Sequence, residues 1–200
     1  YRTQTLAINE LGQVIAWGEG YYANGSDKME TKTYPTVIEG IENPIQVSRG
    51  KNHNLVLDKN GDVWCWGSNT NNPMGTLGGK VKKASKMTGI SNVKQIAAGT
   101  EFSIFIKNDG TLWGVGKNDK GQIGQGNTDD YLTPTQITAM KTFKKVSAGE
   151  SFVVALAEDG LYSWGANTDG QIGNGTTDDE YIPVKLNAEL ENGEYFTDIS

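Results

Sequence analysis

The sequence is poor in the residues from which most catalytic and metal centres are built. Of its 200 residues one is cysteine, Cys65, and one is histidine, His53. A single thiol excludes an internal disulfide and a cysteine-built metal cluster. A single imidazole excludes every site that needs two, which removes most common zinc sites and any Ser-His-Asp triad without His53. No apolar run comes near the roughly 18 residues that cross a bilayer, and the N-terminus has no apolar signal-peptide core, so no membrane insertion is expected. Basic residues are in deficit too: 18 Lys and Arg stand against 24 Asp and Glu, and the net charge of −6 repels a phosphate backbone. Nucleic acid is therefore not expected as a partner. The chain opens on Tyr1 rather than Met, as a processed form or an excised piece does. What remains is a soluble globular composition, long enough for a sizeable core, with one excess: 26 glycines, when about 7% is usual.

The glycines recur at a fixed interval. Gly18, Gly67, Gly116 and Gly165 close short strand-like runs such as Val63-Trp-Cys-Trp-Gly and are spaced 49, 49 and 49 residues apart. Gly12, Gly61, Gly110 and Gly160 follow at 49, 49 and 50, and Asn69, Asn118 and Asn167 keep the same beat. Self-similarity at such a period decides a fold before local propensity does. Four copies, approximately 1–44, 45–93, 94–143 and 144–200, fill the chain as one repeat domain. Within a copy, Asn60-Gly61 or Asp109-Gly110 between β-rich runs signals a type I′ hairpin. A strand precedes the hairpin and another follows a glycine-rich loop, opening on Pro35, Pro134 or Pro183, as suits an edge strand. No window shows a 3.6-residue apolar period, so helices should be scarce. The expected fold is all-β: propeller blades of four antiparallel strands, about four repeats of 49–50 residues.

The order Val-Ser-x-Gly-x-x-His, Asn-Gly-x-Val-Trp-x-Trp-Gly-x-Asn, then Gly-Gln-Ile-Gly-x-Gly and a later proline resembles the regulator-of-chromosome-condensation repeat. Here it is carried by Val47, Ser48, Gly50, His53, Gly61, Trp66, Gly67, Asn69, Gly121, Gln122, Ile123, Gly124, Gly126 and Pro134, with a second nearly full copy from Val146 to Val184. The resemblance implies a propeller, usually of seven blades, so four copies read either as a partial arc of a larger ring, the preferred reading, or as a small closed ring. In a closed ring Phe196-Thr-Asp-Ile199 would join Leu6-Ala-Ile8 in one blade. An open arc would leave apolar faces and sheet edges that invite self-association. Relatives implied by the resemblance include a guanine nucleotide exchange factor, a secreted β-lactamase inhibitor and bacterial surface proteins, and the composition is taken to point to a bacterial-type member, extracellular or on the cell surface.

Candidate chemistry is thin. Gly18-Glu-Gly-Tyr-Tyr-Ala23 matches a dinucleotide fingerprint, but the turn sequence Asn24-Gly-Ser-Asp follows it where a helix must start. Asn167 to Asp178 fails as a calcium loop, with Gln171, Gly173 and Asp178 at ligand positions 5, 7 and 12. No cofactor and no metal are expected. His53 has Gln4, Phe102 and Phe152 as equivalents and reads as scaffold, as the resemblance also implies. Cys65 has Ala16, Gly114 and Ser163, all small, and reads as buried filler. Trp17, Trp66 and Trp164, with Val115, and the row Ile15, Trp64, Trp113 and Tyr162 read as blade-to-blade core.

Residues that recur build the scaffold, whereas residues that break the repeat are free to serve a partner. The first copy replaces Gly-Gln-Ile-Gly with a stretch holding Tyr21, Tyr22 and Met29, and tyrosine is enriched at interfaces. The second places Met74 and Leu77 in the same loop and then Lys80, Lys82, Lys83 and Lys86, a basic patch on an acidic chain. These nine residues are the candidate partner-binding set. The function expected is a non-catalytic module that binds a protein of unidentified kind. The alternatives are an inhibitor of an extracellular enzyme, a hydrolase using Asp129-Asp130 or Asp178-Asp179, and an exchange-factor-like protein.

Overall fold

A hairpin needs its chain reversal to match the twist of the flanking strands, and this chain achieves that with one left-handed glycine rather than two left-handed residues. In the computed structural model, which describes residues 4–21, 29–138, 141–186 and 196–200, Gly61 and Gly110 have φ of +83° and +81° while Asn60 and Asp109 stay at negative φ. Gly61 N–H donates to Asp58 O and Asp58 N–H to Asp62 O, which is a type I turn followed by a glycine bulge. The expected type I′ turn is thereby corrected. In the fourth copy the loop is a residue shorter, and Ala157 pairs directly with Gly160.

Fifteen strands and no helix form four sheets among the described residues. The second blade runs β4 (Pro44–Arg49), β5 (His53–Asp58), β6 (Val63–Ser68) and β7 (Lys80–Lys86) from the centre outwards. The third holds β8 (Val93–Ala98), β9 (Phe102–Lys107), β10 (Leu112–Gly116) and β11 (Tyr131–Gln136), and the fourth holds β12 (Phe143–Ala148), β13 (Phe152–Ala157), β14 (Gly160–Gly165) and β15 (Glu180–Lys185). The first has three strands, β1 (Gln4–Ile8), β2 (Val14–Tyr21) and β3 (Met29–Ile38), lacking the innermost one. Residues 196–200, at the phase of that innermost strand, pair with no sheet, so the closed ring through Phe196–Ile199 and Leu6–Ile8 is not formed. All pairs are antiparallel, and the four-stranded blade expected from the repeat is observed in copies two to four. Prolines 35, 134 and 183 do not open their strands. They sit inside β3, β11 and β15, at the register shift against the third strand, where a missing N–H removes no ladder bond.

Two apolar clusters fill the spaces between blades, one from blade one to the facing side of blade three and one from blade three through blade four. Trp66, Val115 and Trp164 are buried, as the repeat implied. Trp64 and Trp113 are only partly buried. Each turns its indole N–H back to its own hairpin, Trp64 to Asp58 at 2.9 Å and Trp113 to Thr111 at 3.0 Å, while Lys86 and Lys107 cover their outer faces.

At the centre, successive blades are joined by side-chain amides. Gln46 gives its NH₂ to Ile96 O (3.0 Å) and accepts from Ile96 N–H (2.9 Å), and Gln95 does the same with Val146 at 3.2 and 3.0 Å. Each glutamine thus stands in for a peptide unit of the neighbouring strand.

Candidate interaction surface

The loop between the third and fourth strands of a blade is the element that fills the gap to the next blade. In blade three, Asn118 organises it: its Oδ1 accepts from Ile123 N–H at 2.8 Å and its Nδ2 donates to Asn127 O at 3.0 Å. Asn167 does the same for Ile172 and Thr176, and Asn69 for Met74 and Gly75. The result is a plug whose aliphatic tip, Met74, Ile123 or Ile172, is at most 1% exposed. The plug carbonyl then serves the next blade. Gln122 O accepts from the Trp164 indole N–H at 2.9 Å, and Pro73 O accepts from Ser103 Oγ at 2.7 Å, where Val115 stands in the tryptophan position. Gly124 packs so closely between Trp164 and Ile137 that a Cβ there would lie 2.9 Å from the indole nitrogen.

Met74 is therefore not a partner-binding residue. It is the plug of blade two at the place of Ile123, and the loop taken as a break in the repeat keeps the plug geometry. Asn72, at φ +56°, occupies the position that Gly121 holds at +70°. The signal was present in the spacing: Met74 follows Asn69 by five residues, as Ile123 follows Asn118. Leu77 is half-buried against the same core. Lys80, Lys82, Lys83 and Lys86 are exposed on β7, the outer edge of blade two. Lys86 is engaged with Asp62 at 2.5 Å, a hydrogen bond that raises its pKa, and Lys80, Lys82 and Lys83 are exposed on the same strand. Tyr22 lies outside the described residues, as do the side chains of Tyr21 and Met29, the three members of the set from the first copy.

The junction of the first and second blades differs from the other two. Among the described residues three buried side-chain polar atoms have no hydrogen-bond partner: Gln4 Nε2, Asn54 Oδ1 and Trp66 Nε1. All three belong to this junction. Gln4 pairs with Gly18 as His53 pairs with Gly67, so it holds the His53 position, and Asn54 holds that of Ser103. One blade further on, His53 Nε2 and Ser103 Oγ meet at 3.1 Å and Pro73 O completes the set. Beside Trp66 opens a cleft of about 640 Å³ walled by Thr36, Ile38, Glu39, Lys83 and Ala84.

The groups with catalytic potential are committed to the scaffold. His53 is buried beneath Gly50, and desolvation together with the charge of Arg49 holds its pKa down at about 3. Burial pushes the Cys65 thiol up to about 12, and its Sγ faces Ser85 O. Asp130 and Asp179 each accept from a loop-opening backbone N–H, of Asn118 and Asn167, so this pair of repeat positions makes turns. A second cleft, about 360 Å³, lies at the inner turns among Arg49, Lys51, Gly99, Thr100 and Glu150. Among the described residues no group of three or more His, Cys, Asp or Glu is placed to hold a metal ion, and no helix could cross a membrane.

The "Regulator of chromosome condensation (RCC1) repeat" model matches residues 60–106, 109–156 and 158–200, and a second model of the same repeat matches 45–72, 93–122 and 143–171. The chain belongs to the RCC1 repeat family. It is 38% identical over 78 residues to mouse E3 ubiquitin-protein ligase HERC2, covering 36% of this chain and 2% of that protein. To protein pim1 of Schizosaccharomyces pombe it is 36% identical over 86 residues, covering 36% and 16%. Yeast RCC1 (Prp20), solved bound to Kap60, superposes with a TM-score of 0.80 at 28% identity over 93% of this chain and 47% of its own. Human WBSCR16 does so with 0.83 at 22%, over 92% and 51%. The chain thus spans about half the length of these two structures and a small part of the two sequence relatives. All four are eukaryotic, so they lend nothing to the bacterial-type placement read from composition.

Proposed function

We propose that this RCC1-repeat chain is a non-catalytic protein-interaction module whose docking surface is the outer strand of blade two. The observation that carries the reading is the reversal of surface character on β7. The equivalent strands β11 and β15 present Leu132, Tyr181 and Ile182, whereas β7 presents Lys80, Lys82 and Lys83 on a chain of net charge −6. A basic strand on an acidic scaffold selects acidic partners and steers them to one face. The buried states of His53 and Cys65 and the turn roles of Asp130 and Asp179 support a non-enzymatic reading over the carboxylate hydrolase. Yeast RCC1 was solved with a protein, Kap60, bound, which supports protein binding as the use of such a scaffold. An extracellular or surface setting is kept as part of the proposal, since a shielded thiol and no disulfide suit either redox compartment. The test is capture from lysate on immobilised protein, wild type against Lys80→Glu/Lys82→Glu/Lys83→Glu. Loss of the same captured species in the variant is expected, and unchanged recovery would overturn the reading.

A further inference from the structure

In the loop that leads from β14 to β15, Asn174 and Gly175 hold a side-chain amide beside a backbone nitrogen in a reactive arrangement. Three donors converge on Asn174 Oδ1: Thr176 N–H at 3.0 Å, Thr176 Oγ1 at 2.9 Å and Asn167 Nδ2 at 3.3 Å. Its Nδ2 donates to Glu180 Oε1 at 2.7 Å. The bond from Thr176 N–H folds the side chain back over its own backbone as an Asx turn, which brings Cγ alongside the nitrogen of Gly175. That nitrogen is unobstructed. Gly175 is exposed, has φ +86° and has nothing within 4 Å of the place a Cβ would take. Its N–H donates to no group among the described residues. Asn60-Gly61 is the same dipeptide in the opposite state. Gly61 N–H donates to Asp58 O at 3.0 Å, and the glycine is buried with the backbone of Asn92 and Val93 only 3.1 Å from its Cβ position.

We propose that Asn174 is a site of spontaneous modification in the folded protein, where deamidation converts it to aspartate and isoaspartate. Gly175 N gives up its proton to water and bonds to Asn174 Cγ. The Cγ–Nδ2 bond then breaks, the nitrogen takes a proton back from water and leaves as ammonia, and a five-membered succinimide remains. Water opens that ring at either carbonyl, so the net change consumes one water, releases one ammonia and alters no oxidation state. The donors on Oδ1 stabilise the negative charge which that oxygen gains as the nitrogen adds. The held side chain removes the entropy of searching for the attacking geometry. The product cannot keep the loop as it was. A new carboxylate stands against the Glu180 carboxylate where an N–H had donated, and isoaspartate lengthens the backbone by one methylene. Modification therefore loosens the start of β15, the outer strand of blade four.

The test ages the full chain in mildly alkaline buffer, folded and in guanidinium chloride, and follows proteolytic peptides covering each Asn-Gly pair by mass spectrometry. The readouts are the mass change from amide to acid and the fragment pattern that separates isoaspartate from aspartate. Asn174 is expected to convert in the folded chain at least as fast as in the unfolded one. Asn60 should convert in the folded chain at least about tenfold more slowly than Asn174, because its attacking nitrogen must first give up a hydrogen bond inside a packed turn. Thr176→Val keeps the side-chain shape and removes the hydroxyl donor, so it should slow Asn174 several-fold in the folded chain and leave the unfolded rate unchanged. Asn174→Asp, which copies one product, should speed amide exchange along β15 while β13 and β14 stay protected. Folded Asn174 that converts more slowly than unfolded Asn174, or no faster than folded Asn60, overturns the proposal. A Thr176→Val chain that is folded and ages at the wild-type rate does so as well.

Discussion

Trp66 and Trp164 hold the same position in the repeat and are both fully buried, but only one has its indole N–H satisfied. Replacing each by phenylalanine removes a similar slice of ring and leaves a similar gap, worth on the order of 1–3 kcal/mol. The hydrogen-bond consequences then diverge. Trp164→Phe strands Gln122 O in the core, adding about 1–3 kcal/mol of destabilisation, whereas Trp66→Phe deletes a donor that had no partner and recovers a similar penalty. The Trp164 variant should therefore be less stable than the Trp66 variant by about 2–6 kcal/mol. Urea unfolding followed by far-ultraviolet circular dichroism measures the difference, with unchanged m-values confirming that the same surface is exposed in both. Equal losses would refute the reasoning, because they would mean that the two indoles are equally well bonded in solution.

Three further outcomes follow from the packing. His53 stays neutral in the fold down to about pH 3, while its unfolded counterpart protonates near 6.5, so its contribution to stability is complete above pH 6.5 and is lost as pH falls through that window. The slope is at most about 1.4 kcal/mol per pH unit, and His53→Phe, which copies Phe102 and Phe152, should flatten it in a comparison of unfolding midpoints from pH 4 to 8. Met74→Ala should cost about 2–4 kcal/mol as a core truncation, and thermal melts showing a loss under 1 kcal/mol would return Met74 to the surface. Gly99→Ala drives a methyl into the Phe102 ring and should cost at least about 1–3 kcal/mol, whereas Gly79→Ala, with nothing within 4 Å, should leave the melting temperature within experimental error.

The repeat period, the all-β blades and the roles of His53 and Cys65 were legible because they depend on residues recurring at one phase. What was not legible depends on conformation at a single residue or on contacts between copies. Glycine spacing marked the plug of blades three and four, but in blade two Asn72 supplies the left-handed turn that Gly121 supplies elsewhere, so the motif vanished from the composition while its geometry survived. Pro134 and Pro183 signalled an edge strand correctly and its start incorrectly, since a bulge tolerates a missing donor as well as a strand end does. The lysines of β7 were visible as a charge cluster. That they lie beside an indole without an acceptor follows only from the third dimension.

The amide joints at the centre carry one more consequence. Gln46 and Gln95 bridge neighbouring blades through neutral groups, which ionic strength hardly touches. Lys145 takes the same place in blade four and reaches Asp198 at 2.7 Å instead, with the Asp198 side chain largely and that of Lys145 partly open to solvent. At about 1 M salt the screening length shrinks to roughly 3 Å. Raising the salt concentration should therefore loosen the segment 196–200 from the fourth blade while the two amide joints before it hold, so that the same position of the repeat responds to ionic surroundings in one copy and not in the two before it.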